Sequence, residues 1–252
     1  MSFTINDEVG LLVEGFDTPP KIMMPHTAPY YPKLLEGCGY AKVKELFAWD
    51  YDCGRDIPEM AQKIADRVRG MEGLTIRSVD LSKAEEEVAI IMEIFNEAWS
   101  RNWGFVPFTQ KELSKLAKDL KLILDPRLAL IAEYQGKPIA ISIAFPDLNQ
   151  MIKDLNGRLC PWRLLKLLYR VKFHKYTDAR LVLLGIKREH RKGPLAGLSV
   201  LLYSEMHRRG REMGLRGGEL GWTLEDNDKI NKGIELMGGR VYKRYRVYEK
   251  TL

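Results

Sequence analysis

The sequence predicts an α/β protein, a mixed sheet with helices on both faces. Two observations carry this. From Leu74 onward the elements read strand, two helices, hairpin, strand, helix, strand, helix, strand, an order that mixes hairpin pairing with a crossover connection. In addition, LVLLGIKREHRKGPLAGLSVLLYSEMHRRG (Leu181 to Gly210) passes from an apolar run through a basic turn into an amphipathic helix, as a sheet strand does when it hands over to a crossover helix.

Taken in order, VGLLVEGF (Val9 to Phe16) reads as a strand, and the proline-rich TPPKIMMPHTAPYYP as an extended connection. Tyr30 to Cys38 reads as a short helix, Ala41 to Tyr51 as a strand, and Ile57 to Met71, bounded by Gly54, Gly70 and Gly73, as a charged linker helix. LTIRSVD is a strand. The following SKAEEEVAIIMEIFNEAW has apolar residues at helical spacing and opens on Ser82 and Glu85, a capping-box pair. An aromatic loop, NWGFVPF, leads to a helix over Thr109 to Leu122. Leu128 to Tyr134 and Lys137 to Phe145 pair as a hairpin about Gln135-Gly136. Next come a basic amphipathic segment, Pro161 to Phe173, then the Leu181 strand and its helix. Gly218 to Leu224, Asp226 to Met237 and Val241 to Lys250 close the chain as strand, helix and strand.

The segment PWRLLKLLYRVKFHK invites a membrane-surface or nucleic-acid reading, but the expectation is that Leu164, Leu165 and Leu168 pack on the protein's own sheet. A weak internal repeat also appears. Aligning Gly39 with Gly238 sets YYPKLLEGCGYAKVKELFAWDY over KINKGIELMGGRVYKRYRVYEK, each a helix, a Gly-containing turn and a long strand. This predicts a partial unit over 1–72 and a complete unit over 73–252. The partial sheet's open edge is expected to dock on the second unit or on a second copy of the chain, as a homodimer.

Composition bounds the function. The chain has 252 residues, 45% of them apolar and 29% charged, which describes a soluble globular protein. Its net charge of +6 is a thin excess of 40 bases over 34 acids, so nucleic acid is not favoured as a partner, although arginines and tyrosines alternate in VYKRYRVYEK. Cys38, Cys53 and Cys160 lack paired or metal-ligand spacing, and the four histidines are scattered, which points to reduced thiols in the cytoplasm and no metal site. MSFTINDEVG lacks the apolar core of a signal peptide, and no run approaches the ~18 apolar residues of a spanning helix.

The basic turn has a physical rationale. Amides in a helix's first turn lack intrahelical partners, and the macrodipole adds positive charge there. The stretch HRKGPLAGLS, at the carboxyl end of a strand, thus suits a pyrophosphate. With this turn and the closing LEDNDKINKGIELMGGRVYKRYRVYEK, the chain resembles the GNAT superfamily of acyl-CoA-dependent N-acetyltransferases. NEAWSRNWGFVPFT and GFDTPPKIMMPHTAPYYPKLLEGCGY resemble segments of long tandem GNAT-like proteins.

The resemblance implies acetyl-CoA or another acyl-CoA as cofactor, held by Ile186, Lys187, Arg191, Lys192, Gly193, Ala196, Gly197, Ser199 and Asn227. It implies acyl transfer to a small-molecule or peptide amine. Two registers of the family's turn motif are available, each with a departure: one places Arg191, Pro194 and Ala196 at its defined positions, with a proline for the central glycine, and the other Pro194, Gly197 and Ser199, with a proline for the Gln or Arg. Many relatives carry a proton-donating tyrosine seven residues after an asparagine. Counting from Asn227 gives Ile234, and the first unit has Leu35 there. A carboxylate near the strand GELGWTL is expected as the base, with Glu225 preferred over Glu219; the competing reading has Glu225, Asp226 and Asp228 complementing a helix start. Trp99, Asn102, Trp103, Phe105 and Trp222 are the candidate substrate contacts, with core packing the alternative for Trp99, Trp103 and Phe105. A catalytically inactive GNAT-like scaffold is the competing function.

Overall fold

The computed structural model describes residues 8–109, 112, 124–158, 160–173 and 176–251. Eight strands form one sheet: β1 (Leu11–Glu14), β2 (Ala41–Asp52), β3 (Leu74–Ser78), β4 (Ala129–Tyr134), β5 (Lys137–Pro146), β6 (Asp178–Ile186), β7 (Gly217–Leu224) and β8 (Arg240–Glu249). Their spatial order is β1-β8-β2-β7-β6-β5-β4-β3, with β6 and β7 parallel and every other neighbouring pair antiparallel. The mixed sheet expected from the element order is therefore present.

Helices α1 (Tyr31–Gly37), α2 (Glu59–Arg69), α3 (Ala84–Trp99), α4 (Leu148–Ile152), α5 (Pro161–Lys172), α6 (Leu198–Glu212) and α7 (Asp228–Leu236) connect the strands. β5 reads as an almost unbroken apolar run because it is covered on both faces. Ile141, Ile143 and Phe145 meet Ile91, Ile94 and Phe95 of α3, while Ala140 packs with Leu198, Leu201 and Leu202 of α6. The hairpin turn is as the sequence predicts: Gln135 and Gly136 both have positive φ, at 52° and 75°.

Two local expectations change, one short helix is added, and one expected helix lies largely outside the described residues. Asp80, not Ser82, caps the start of the α3 region: its carboxylate accepts from the Ser82 amide at 2.9 Å and the Ser82 hydroxyl at 2.6 Å. The short helix α4 escaped the sequence reading because five residues carry no period. The helix predicted over 109–122 falls outside the described residues except for Thr109 and Glu112, whose carboxylate accepts the Thr109 amide at 2.7 Å. In α5, Leu167 is the residue packed into the core, while Leu164, Leu165 and Leu168 are exposed.

The repeat seen in the sequence reappears as a two-fold relation within the sheet. β2 and β8 run side by side, and the pair Leu46↔Tyr245 sits at the centre. Around it, Glu45↔Arg246 is matched by Phe47↔Arg244, Lys44↔Val247 by Ala48↔Lys243, and Ala41↔Glu249 by Asp50↔Arg240. Outward, Leu46 pairs with Leu224 of β7 as Tyr245 pairs with Leu12 of β1. Residues before 72 therefore share the sheet of the later residues, with β2 inserted between β7 and β8.

β7 contains the decisive irregularity. At its start Gly217 and Gly218 lie so close to Tyr51 O and Ala179 O that no side chain fits, and β2, β7 and β6 stay paired there. Parallel pairing with β6 ends at Leu181↔Leu220, and the next residue, Gly221, has φ +52° at a shift of register against β2. A β-bulge of this kind bends one strand away from its neighbour. A left-handed conformation costs a residue with Cβ about 1–2 kcal/mol, so Gly221→Ala should lower unfolding stability by that amount. Gly233→Ala, in mid-helix with open space around its Cβ, should instead gain about 0.5–1 kcal/mol. Urea unfolding of both variants checks the pair.

Candidate active site

Past Leu181 and Leu220 the facing edges of β6 and β7 have no partner strand, and a crevice opens between them. Its volume is about 1390 Å3 including the open mouth. Leu181, Val182, Leu183 and Leu184 line it from β6, and Gly221, Trp222, Thr223 and Leu224 from β7. Met92, Phe95 and Trp99 of α3 close one side with Phe108 and Phe145; Tyr203 of α6 and Asn227, Ile230 and Ile234 around α7 close the other. The walls are largely hydrocarbon, with Asn102, Arg180, Thr223 and Asn227 as polar points. Thr223 is tied by a 2.8 Å bond from the Trp49 indole N–H.

Arg180, itself buried, stands where the two strands part. Its Nε donates to Glu219 Oε1 at 2.6 Å and its Nη1 to the Ile22 carbonyl at 3.0 Å. The Tyr242 hydroxyl donates to the other Glu219 oxygen. Burial pushes the Glu219 carboxyl above its ordinary pKa, opposed by the Arg180 charge and these two hydrogen bonds. Burial, with the neighbouring Glu219 charge, also holds the proton on Tyr242. The guanidinium thus places one compensated charge at the end of an apolar crevice.

A mixed sheet whose two parallel strands part over a crevice can be compared directly with known structures. A GCN5-related N-acetyltransferase from Sphaerobacter thermophilus superposes with a TM-score of 0.58 at 18% identity, covering 90% of this chain and 56% of that one. A tandem GNAT protein from the clavulanic acid biosynthesis pathway gives 0.55 at 14% identity, covering 95% of this chain and 62% of the other. The chain has the GNAT fold.

No protein-family model matches the sequence. Over 256 residues the chain is 40% identical to the bacterial ceramide synthase of Caulobacter vibrioides, covering 100% of this chain and 65% of that protein. It is 38% identical over 255 residues to protein YghO of Escherichia coli, covering 100% of this chain and 64% of the relative. The chain therefore spans about two thirds of the length of these curated relatives.

In this GNAT fold the basic turn after β6 is largely committed to holding α3. Lys187 Nζ pairs with Glu93 at 2.5 Å, the Arg188 amide donates to Glu97 at 3.0 Å, and Arg191 donates to the carbonyls of Ile186 and Ala98 at 2.9 and 2.8 Å. Burial, with the nearby Arg188 charge, lowers the Arg191 pKa. Lys192 and Gly193 are exposed, and nothing lies within 4 Å of where a Gly193 Cβ would be.

The first-turn amides of α6 at Leu198, Ser199 and Val200 have no backbone acceptor among the described residues. On one side α2 covers the helix start: a Gly197 Cβ would lie 2.6 Å from Ile64, and Arg67 donates to the Ala196 carbonyl at 2.5 Å. The amide donors and the exposed Lys192 have the chemistry that suits a diphosphate, whereas the Arg191 guanidinium is engaged by the Ile186 and Ala98 carbonyls.

Of the residues singled out from sequence, Trp99, Asn102, Trp222 and Asn227 line the crevice. Ile186, Lys187, Arg191, Lys192, Gly193, Ala196, Gly197 and Ser199 gather in the turn beyond its Leu184 end and are not part of its wall. Phe105, partly buried, packs against the core at a tilt to Phe95, with ring centroids 5.6 Å apart, and Trp103 is surface-exposed. Glu219 is sequestered in its ion pair. Glu225 caps no helix; it accepts the Glu45 amide at 3.0 Å and pairs with Lys42 at 2.8 Å. Sequence reasoning missed Met92, Phe95, Leu181 to Leu184 and Ile230, which carry ordinary core periodicity. The glycine inside GELGWTL was the available signal, since glycine within a strand marks a bulge or a close approach.

Trp99 reaches the wall because Gly185 leaves room for its ring; a side chain at 185 would overlap it. Gly185→Ala should therefore cost about 1–3 kcal/mol through overpacking and displace the indole. Denaturant unfolding and the tryptophan emission spectrum test this, and an unchanged spectrum with unchanged stability would contradict the packing described.

Proposed function

We propose that the chain is the acyl-transfer portion of an acyl-CoA-dependent N-acyltransferase whose reacting chains are long and apolar. The hydrocarbon-walled crevice between the parted strands carries this reading, because a short polar acceptor would leave most of that wall unsatisfied. A ceramide is an amide of a fatty acid with a long-chain amino alcohol, so the name of the Caulobacter relative fits such a crevice. Residues 73–252 would form the reacting unit, and residues 1–72 a partial copy that lends it β2.

When bound, acyl-CoA supplies a thioester carbonyl open to attack by an amine. The amides of Leu198, Ser199 and Val200, with Lys192, would hold the diphosphate. The unpaired edge of β6 beyond Leu181 offers main-chain donors to an extended arm and to the carbonyl oxygen. The aliphatic and aromatic walls keep water from the reacting carbon. Glu225 serves as base in preference to Glu219: its side chain is partly exposed, and its neighbours Leu224 and Asn227 line the crevice.

A non-catalytic scaffold is the second reading, favoured by Ile234, a hydrocarbon side chain at the position of the usual proton donor. Thiol release from acetyl-CoA and palmitoyl-CoA with a long-chain amino alcohol separates the two. Turnover should be faster with the longer acyl chain. Leu183→Glu should lower kcat/KM at least tenfold, about 1.4 kcal/mol. Saturable acyl-CoA binding without thiol release under any pairing would leave the scaffold standing.

A further inference from the structure

Helix α5 presents its apolar side outward. Leu167 anchors it to the core, and two arginines tie it down on the same side. Arg163 donates to the Leu155 carbonyl, and Arg170 donates to the Met151 carbonyl and to Asp154, the latter at 2.6 and 3.0 Å. At 3.6 residues per turn, Trp162, Leu164, Leu165, Leu168 and Tyr169 share the opposite arc. They are 79%, 40%, 59%, 55% and 56% exposed. Solvent-facing hydrocarbon concentrated on one helix marks an interaction surface.

Charge identifies the partner. Between residues 158 and 173 the chain has Arg158, Arg163, Lys166, Arg170 and Lys172 and no acidic residue; Asp154 pairs with both Lys166, at 2.5 Å, and Arg170, and the segment keeps a net positive charge. A second copy of the chain is a poor occupant, since two-fold packing would set this basic helix against itself. A bilayer with anionic headgroups supplies both complements: phosphates for the lysines and arginines, and an acyl boundary for the leucines. Tryptophan and tyrosine are at home at that depth. No helix among the described residues is long and apolar enough to cross a membrane, so the contact is peripheral.

We propose that α5 lies in the plane of an anionic phospholipid surface, with Trp162, Leu165, Leu168 and Tyr169 inserted and the net positive charge of the segment toward the headgroups. This docking stands on the helix alone and does not depend on the proposed reaction. It would bring the crevice to the phase in which long-chain lipids reside.

The test is vesicle co-sedimentation of the whole chain, with phosphatidylcholine alone and with phosphatidylcholine plus phosphatidylglycerol. Binding should need the anionic lipid, weaken with added salt, and blue-shift tryptophan emission. Trp162→Glu/Leu165→Glu/Leu168→Glu should weaken it at least tenfold and leave the melting temperature unchanged, because all three side chains are exposed. Wild type that fails to sediment with anionic vesicles overturns the proposal, as does a triple variant that binds equally well. A wild-type dimer that the triple variant converts to monomer, with no vesicle binding, would assign the face to protein contact instead. No acyl-CoA is present, so failure here leaves the proposed reaction untouched.

Discussion

The crevice exists because β7 is held by β2 along its whole length and by β6 along only its first half. Gly217 and Gly218 pull three strands together at the closed end, and Gly221 turns β7 away immediately afterwards. The ligand-sized space is therefore created by backbone curvature, and side chains only set its character. Leucines, tryptophans and phenylalanines make that character apolar, while Arg180 and Glu219 neutralise each other at the point of divergence.

β2 can hold β7 only because its other edge is held by β8. The symmetric register about Leu46↔Tyr245 gives equivalent residues equivalent tasks. Lys243, fully buried in β8, donates to the carbonyls of Gly15 and Thr18 just after β1; its counterpart Lys44 pairs with Asp226 just after β7. The alternating arginines and tyrosines of β8 are consumed in the same way. Arg246 pairs with Glu45 at 2.7 Å, Arg244 pairs with Glu14 at 2.9 Å and lies over the Phe47 ring, and Tyr242 holds Glu219. These side chains serve the inter-strand contacts, which accounts for the alternation of arginine and tyrosine along the strand.

Much of this was legible in the sequence. Element order predicted a mixed sheet, Gln135-Gly136 a hairpin, and the match of Gly39 with Gly238 a repeated helix, turn and long strand. Of the crevice residues, Trp99, Asn102 and Trp222 were named as substrate contacts and Asn227 through the family resemblance. What sequence could not give was long-range pairing. Glu219 and Glu225 look like free carboxylates at the ends of a strand, and only the fold brings Arg180 and Lys42 onto them. Lys187, Arg188 and Arg191 look like an anion cradle until α3 arrives with Glu93, Glu97 and the Ala98 carbonyl. The stripe of α5 has the same period whether it faces core or solvent, so periodicity could not choose between them.

The exchange of neighbours around β2 also governs how the molecule is made. Trp49 meets Thr223 across 174 residues of sequence, and Glu45 meets Arg246 across 201. On the ribosome β2 emerges long before either of its partners, so the closing ladder is among the last contacts available to a growing polypeptide, and contacts so distant in sequence form slowly. Until then a twelve-residue strand, with charged residues at five of its positions, has both edges bare, the state in which a strand is open to pairing with another chain.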